Sequence, residues 1–199
     1  MKILLVGASG VVGLGVDREL SPRHEIIRAS RASGDVNVDL TDRASIRAMF
    51  EKTGQVDAVV STTGQVHFGP LSDMDEDKYR IGIDDKLFGQ VNLVLIGRDY
   101  VTDRASFTLS TGILAKDPIP MGSSASMVNG ALESFVKAAA IEMKPGQRIN
   151  AVSAGVLAES MENYAPYFRG HEPVPAARVG LAYAKSVEGL QTGQVFEVF

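Results

Sequence analysis

The chain opens Met1-Lys-Ile-Leu-Leu-Val-Gly7-Ala-Ser-Gly10-Val-Val-Gly13, an apolar run followed by three glycines at fixed spacing. Holding phosphate is the chemistry that this spacing serves. Gly7 permits a tight turn, Gly10 lets the backbone approach a pyrophosphate, and Gly13 lets helix and strand pack closely. Ile3 to Val6 reads as a buried strand. Val11, Val12, Leu14, Val16 and Leu20 read as a helix stopped at Ser21-Pro22. The free N–H groups and partial positive charge at the start of that helix then face the phosphates. Gly7, Ala8, Ser9, Gly10, Val11 and Val12 are the predicted cradle for a dinucleotide. A plain strand-to-helix turn is the alternative use of the same small residues.

A second feature stands at the end of the next predicted strand, Arg28-Ala29-Ser30-Arg31. A carboxylate at that point accepts from the 2′-hydroxyl of NAD, whereas an arginine meets the 2′-phosphate of NADP. No acid is present there. Arg31 can pair bidentately with phosphate oxygens, and Ser30 can add a hydroxyl donor. Arg28 lies one strand alternation away and contributes less. NADP(H) is therefore the expected cofactor, against the alternative that both arginines are solvated loop residues.

These groups need elements to position them, and strand alternates with helix along nearly the whole chain. Strands are predicted at His24 to Ala29, Val36 to Val38, Val56 to Val60, Ser106 to Leu109, Arg148 to Val152 and Gln194 to Val198. Helices are predicted at about 42–52, capped by Thr41, and at about 73–80, 84–101, 123–143 and 176–188. The alternation implies an α/β protein: a single Rossmann-type domain over residues 1–199, its doubly wound parallel sheet covered by helices on both faces. Residues 155–175 are the least regular and are expected to form a lid or substrate loop.

Composition narrows the function classes. At 199 residues, 45% hydrophobic and 22% charged, the chain has the makeup of an ordinary globular domain. A net charge of −4 gives no reason to expect nucleic acid. The absence of cysteine excludes disulfides, thiolate catalysis and cysteine-ligated metal, and no metal site is expected. No apolar run approaches a membrane span. A first strand at residue 3 leaves no room for a signal peptide, so a cytoplasmic location is expected.

In this order the segments resemble the short-chain dehydrogenase/reductase family, which implies a doubly wound sheet of about seven strands. The Gly-x-x-Gly-x-x-Gly turn is that of the family's divergent members. Val38-Asp39-Leu40 is similar to the family element whose carboxylate meets the adenine amino group. Ser61, Thr62, Thr63 and Gly64 stand where the family has Asn-Asn-Ala-Gly. Ser110-Thr111-Gly112 stands where the active-site serine lies. Ile149-Asn-Ala-Val-Ser-Ala-Gly155 is similar to Val-Asn-x-Val-x-Pro-Gly, and Thr192-Gly-Gln-Val-Phe196 to the last strand. The resemblance implies cofactor contacts at Asp39, Leu40, Ser61 to Gly64, Ser110, Gly155 and Val156.

The family's chemistry uses Tyr-x-x-x-Lys, in which lysine lowers the pKa of a proton-donating tyrosine. Registered on Ala131-Leu132, the tyrosine position is Ala125 and the lysine position is Asn129. None of the five tyrosines (Tyr79, Tyr100, Tyr164, Tyr167, Tyr183) has a lysine four residues on. Asn129 can bond the nicotinamide ribose but supplies no positive charge. Lys86 occupies the position of the family's active-site asparagine and could reach the ribose or stabilise an alkoxide. It could equally be a surface lysine near Asp84 or Asp85. Thr111, or Ser110 if the register shifts by one, could donate to a substrate oxygen; either could instead cap a strand end. Tyr164 or Tyr167 could bring a phenol over the nicotinamide or pack as lid. His67 and His171 are general acids by type alone.

Lys86, Thr111 and Asn129 are thus the candidate catalytic set of an NADP(H)-dependent reductase acting on a small carbonyl substrate. The alternatives are an NADP(H)-binding sensor or interaction protein without turnover, and an isomerisation or dehydration on the same scaffold. Helices 84–101 and 123–143 are candidates for a homodimer or homotetramer interface, although burial within one subunit would explain their pattern too.

Overall fold

The computed structural model describes residues 1–199. Seven parallel strands run in the order β3-β2-β1-β4-β5-β6-β7. They are β1 (Lys2–Val6), β2 (Glu25–Ser30), β3 (Val36–Asn37), β4 (Val56–Ser61), β5 (Val101–Gly112), β6 (Arg148–Ala154) and β7 (Val195–Val198). The helices are α1 (Val11–Leu20), α2 (Arg43–Thr53), α3 (Glu76–Gly82), α4 (Gly89–Gly97), α5 (Ser123–Glu142), α6 (Met161–Tyr164) and α7 (Ala176–Glu188). No helix is long and apolar enough to cross a membrane.

Strand β1 shows why its sequence reads as unbroken apolar residues. Ile3 and Leu5 face one core with Val16 and Leu20 of α1 and Val179, Tyr183 and Val187 of α7. Leu4 and Val6 face the other, with Ile46, Met49 and Phe50 of α2, Leu93 and Ile96 of α4, and Leu132 and Val136 of α5. Both faces of the strand are buried, so both sets must be apolar. β1 pairs with β2 on one side and β4 on the other. The chain order reverses there, and a ligand crevice opens at the carboxyl ends of the strands.

Several boundaries differ from expectation. The cap of α2 is Asp42, whose side chain accepts from Ala44 N, and not Thr41. Helix α3 begins at Glu76, with Asp75 accepting from Lys78 N; Asp73 belongs to a short 3-10 turn before it. Strand β5 starts at Val101 instead of Ser106, because pairing with Val56 of β4 claims Val101, which the predicted helix had included. The two expected helices after β4 are one continuous run. Residues Ile83–Phe88 form a π-helical segment joining α3 to α4, a geometry frequent at functional sites.

Residues 155–175 are irregular but anchored. Leu157 bridges Val174, and Glu159 accepts from Ala176 N at 3.0 Å, satisfying the start of α7.

Candidate functional site

The turn after β1 is built around a steric limit. Gly7 has φ +89°, in the left-handed region. A Cβ at Gly13 would come within 2.1 Å of the Gly7 carbonyl oxygen, so α1 closes on the turn only with glycine there. Thr62 holds the turn from the β4 side, its hydroxyl 3.1 Å from Val6 O and 3.0 Å from Gly7 O. Helix α1 starts at Gly10 with no side-chain cap and no acid in its first turn. Its first N–H groups remain free for an anion.

Two cavities flank this turn. The first, about 370 Å³, is polar and is lined by Gly7, Ser9, Gly10, Ser30, Arg31, Val38, Leu40, Thr62, Thr63, Gly64, Gln65 and Asp85, among others. Arg31 is its only cation and Asp85 its only anion, and the two form an ion pair. Asp85 also accepts from Gln65 N at 2.7 Å. The second cavity, about 450 Å³, is mainly apolar and includes Val11, Val12, Phe68, Val156, Leu157, Ser160, Tyr164 and Phe168. Both fall in the size range of ligand pockets, and Thr62 and Gly64 line both.

Most predicted cradle residues therefore converge, with exceptions. Asp39 is exposed and absent from the lining. Its carboxylate accepts from the N–H and hydroxyl of Thr41, which hold it below the ordinary aspartate range. Val38 and Leu40 face the cavity in its place, as strand-like alternation requires. The Ser30 hydroxyl is taken by the Ser33 turn. Ala8 and Ser61 are buried and absent from both linings; Ser61 meets Thr63 Oγ1 at 2.9 Å and accepts Tyr183 OH at its carbonyl. Gly155 donates its N–H to Val198 O at 2.8 Å, leaving Val156 to line the apolar cavity.

Lys86 lies in the π-helical segment; it, Ser110, Thr111 and Asn129 are absent from the linings of both cavities. A Cβ at Gly64, where φ is +140°, would stand 2.4 Å from Lys86 Cγ, so glycine clears the path of the lysine stem. The Lys86 ammonium makes no hydrogen bond or ion pair. Burial brings its pKa from 10.5 to about 8, against a weaker opposing pull from Asp85. Asn129 is buried, with Oδ1 unpartnered, and its amide nitrogen stands 3.2 Å from where a Gly112 Cβ would be. Thr111 is buried and turned toward α5, its hydroxyl 3.3 Å from Glu133 Oε1. That hydroxyl is therefore not free to donate elsewhere. Ser110 is tied by its main chain to Gln90, whose amide receives Ser110 N at 2.7 Å and donates to Ser110 O at 2.9 Å.

Ala125 packs in a six-residue apolar cluster with Ile113, Leu114, Ile119, Val156 and Phe168. Tyr183 is buried, and burial pushes its phenol well above the ordinary range. Tyr164 lines the apolar cavity; Tyr167 does not. His171 stands 3.7 Å from Asp117. Sequence reasoning missed Asp85, Gln65, Gln90 and Glu133 as members of the site region. Glutamate among the apolar positions of a helix was a readable signal for Glu133 alone.

A parallel doubly wound sheet, a glycine turn and an uncapped helix start at the crevice define a nucleotide-binding α/β protein of the Rossmann type. The comparisons carry this further. Residues 7–183 match the family described as enoyl-(acyl carrier protein) reductase. The chain belongs to the short-chain dehydrogenases/reductases, oxidoreductases that use a nicotinamide cofactor. The crystal structure of the protein lin1944 from Listeria innocua is similar with a TM-score of 0.99 and 52% identity over 100% of both chains. A small-chain dehydrogenase is similar at 0.85 and 25% identity, over 100% of this chain and 95% of that one. Another, crystallised in complex with NADPH, shares the fold at 0.88 and 23% identity, over 100% and 96%. No curated protein matches.

Proposed function

We propose that the protein is an NADP(H)-dependent reductase acting on a small carbonyl substrate. One observation carries the reading: the lining of the polar cavity combines the free start of a helix with Arg31, its only cation. This suits a ligand with a pyrophosphate and a further phosphate on the adenosine ribose. The NADPH held by the 23% identical dehydrogenase supports the same ligand. The unpartnered Asn129 Oδ1 supports a ribose hydroxyl beside it.

When bound, the reduced cofactor supplies a hydride. The chain's part is to orient the acceptor and hold a proton near its oxygen. Lys86 is the proposed proton donor, because an ammonium with a pKa of about 8 can both give a proton and be recharged near neutral pH. Thr111 takes a positioning role, with its proton directed at Glu133. Val156, Leu157, Tyr164 and Phe168 keep water from the reacting face. Exposed Phe88, Leu95 and Met127 on the outer helices support self-association.

The test is to mix purified protein with NADPH and a panel of small aldehydes and ketones, following absorbance of the reduced nicotinamide. Turnover that is lost in Lys86→Ala while NADPH binding persists supports the assignment. Tight NADPH binding without turnover across the panel overturns the reductase and leaves a nucleotide-binding sensor.

A further inference from the structure

Asp85 is out of place in a cavity suited to anions. It is the only acid in the lining, its side chain is 10% exposed, and it is held on two sides. Gln65 N donates to one oxygen at 2.7 Å, and Arg31 pairs with the other. The ion pair joins the end of β2 to the π-helical segment and spans the polar cavity. The guanidinium that could meet a ribose phosphate is therefore already engaged by a carboxylate.

We infer that Asp85 sets the balance between the two nicotinamide dinucleotides, an inference that rests on reading this cavity as the adenosine site. A 2′-phosphate must draw Arg31 away from Asp85 or share it. Drawing it away leaves a poorly solvated carboxylate beside a dianion, and like charges so placed repel strongly. Apparent affinity for NADPH scales with the fraction of molecules in which Arg31 is free. A 2′-hydroxyl makes the opposite demand. It can donate to the Asp85 carboxylate while Arg31 stays paired, which is the service an acid gives NAD. The site thus carries one group for each cofactor, and their mutual attraction narrows the preference that Arg31 alone would impose. Asp85 owes its position to the π-helical segment, so sequence spacing from the glycine turn does not reveal it.

The experiment compares Kd values for NADPH and NADH in wild type, Asp85→Asn and Asp85→Ser by titration calorimetry. Both replacements keep an acceptor for Gln65 N–H and remove the charge, so either suffices if the other does not fold. The expected result is NADPH binding tightened about tenfold and NADH binding weakened severalfold. In an Asp85→Asn, Arg31→Met double variant NADPH should bind more weakly than in Asp85→Asn alone, because the guanidinium that the first substitution frees is missing. A NADH-to-NADPH Kd ratio that is unchanged or lower, or a double variant that binds NADPH as tightly as Asp85→Asn alone, overturns the inference while leaving the dinucleotide reading intact. A wild-type protein that binds neither nucleotide overturns both.

Discussion

Replacing Lys86 with methionine removes a buried charge while filling most of the same space. The stem that fits beside Gly64 is kept in length, since the methionine side chain follows nearly the same path. Burial lowers the ammonium from 10.5 to about 8. At about 1.4 kcal/mol per tenfold, that fall is equivalent to roughly 3 kcal/mol of destabilisation of the folded protein. The residue as a whole keeps some contact with water, so about 1–3 kcal/mol is the working range. The sign follows from linkage. The folded protein holds this proton less tightly than the unfolded chain, so the penalty is full below pH 8 and is relieved as pH rises toward 10.5. Lys86→Met should therefore be more stable than wild type at pH 7, with a Tm higher by about 3–10 °C for a chain of this size. Urea unfolding of both proteins from pH 7 to 9.5 should show the gap closing, since ionisation of Tyr183 on unfolding is common to both and cancels. Reductase turnover should fall at least about a hundredfold in the variant, the scale of a lost general acid, and wild-type turnover should decline above pH 8. A variant no more stable than wild type at pH 7, or a gap constant with pH, would refute the argument, because the ammonium would then be reaching water.

Other perturbations test separate parts of the site. Gly13→Ala places a methyl 2.1 Å from the Gly7 carbonyl oxygen, so stability should drop by at least about 2 kcal/mol and NADPH binding should vanish in calorimetry. Arg31→Ala should weaken NADPH about tenfold to a hundredfold and move NADH less than threefold, read as Kd values; equal losses for both would remove Arg31 from the 2′ position. Leu95→Lys, on the exposed side of α4, should convert an assembled protein to monomer in size-exclusion chromatography; a wild-type monomer would dispose of the self-association proposal.

The sequence disclosed most where local sterics dictate the residue. The first strand, glycine turn and helix were legible because Gly7 and Gly13 sit where a side chain cannot. The sheet was legible because strands covered on both faces read as apolar runs. What decides β5 lies elsewhere in the chain: Val101 joins the sheet through Val56, a partner that helical periodicity cannot register. The same distance hides Asp85, whose partner Arg31 is 54 residues away. Asp39 misled for a nearer reason, because Thr41 competes for its carboxylate two residues on.

The π-helical segment accounts for most of what was illegible at the site. Expectation placed a break between two helices there, yet the chain runs through with a wider turn. Such a turn holds one residue more than an α turn, so every later side chain is rotated by about 100° from its α-helical direction. With that offset, Gln90 reaches both the N–H and the carbonyl of Ser110 and ties α4 to β5. Ahead of it, Asp85 reaches Arg31, and Lys86 runs beneath Gly64. A regular helix through the same residues could keep Gln90 on Ser110 or keep Asp85 in the cleft, but not both. The ion pair to Arg31 and the course of the lysine stem past Gly64 are thus set by neighbouring residues of one turn.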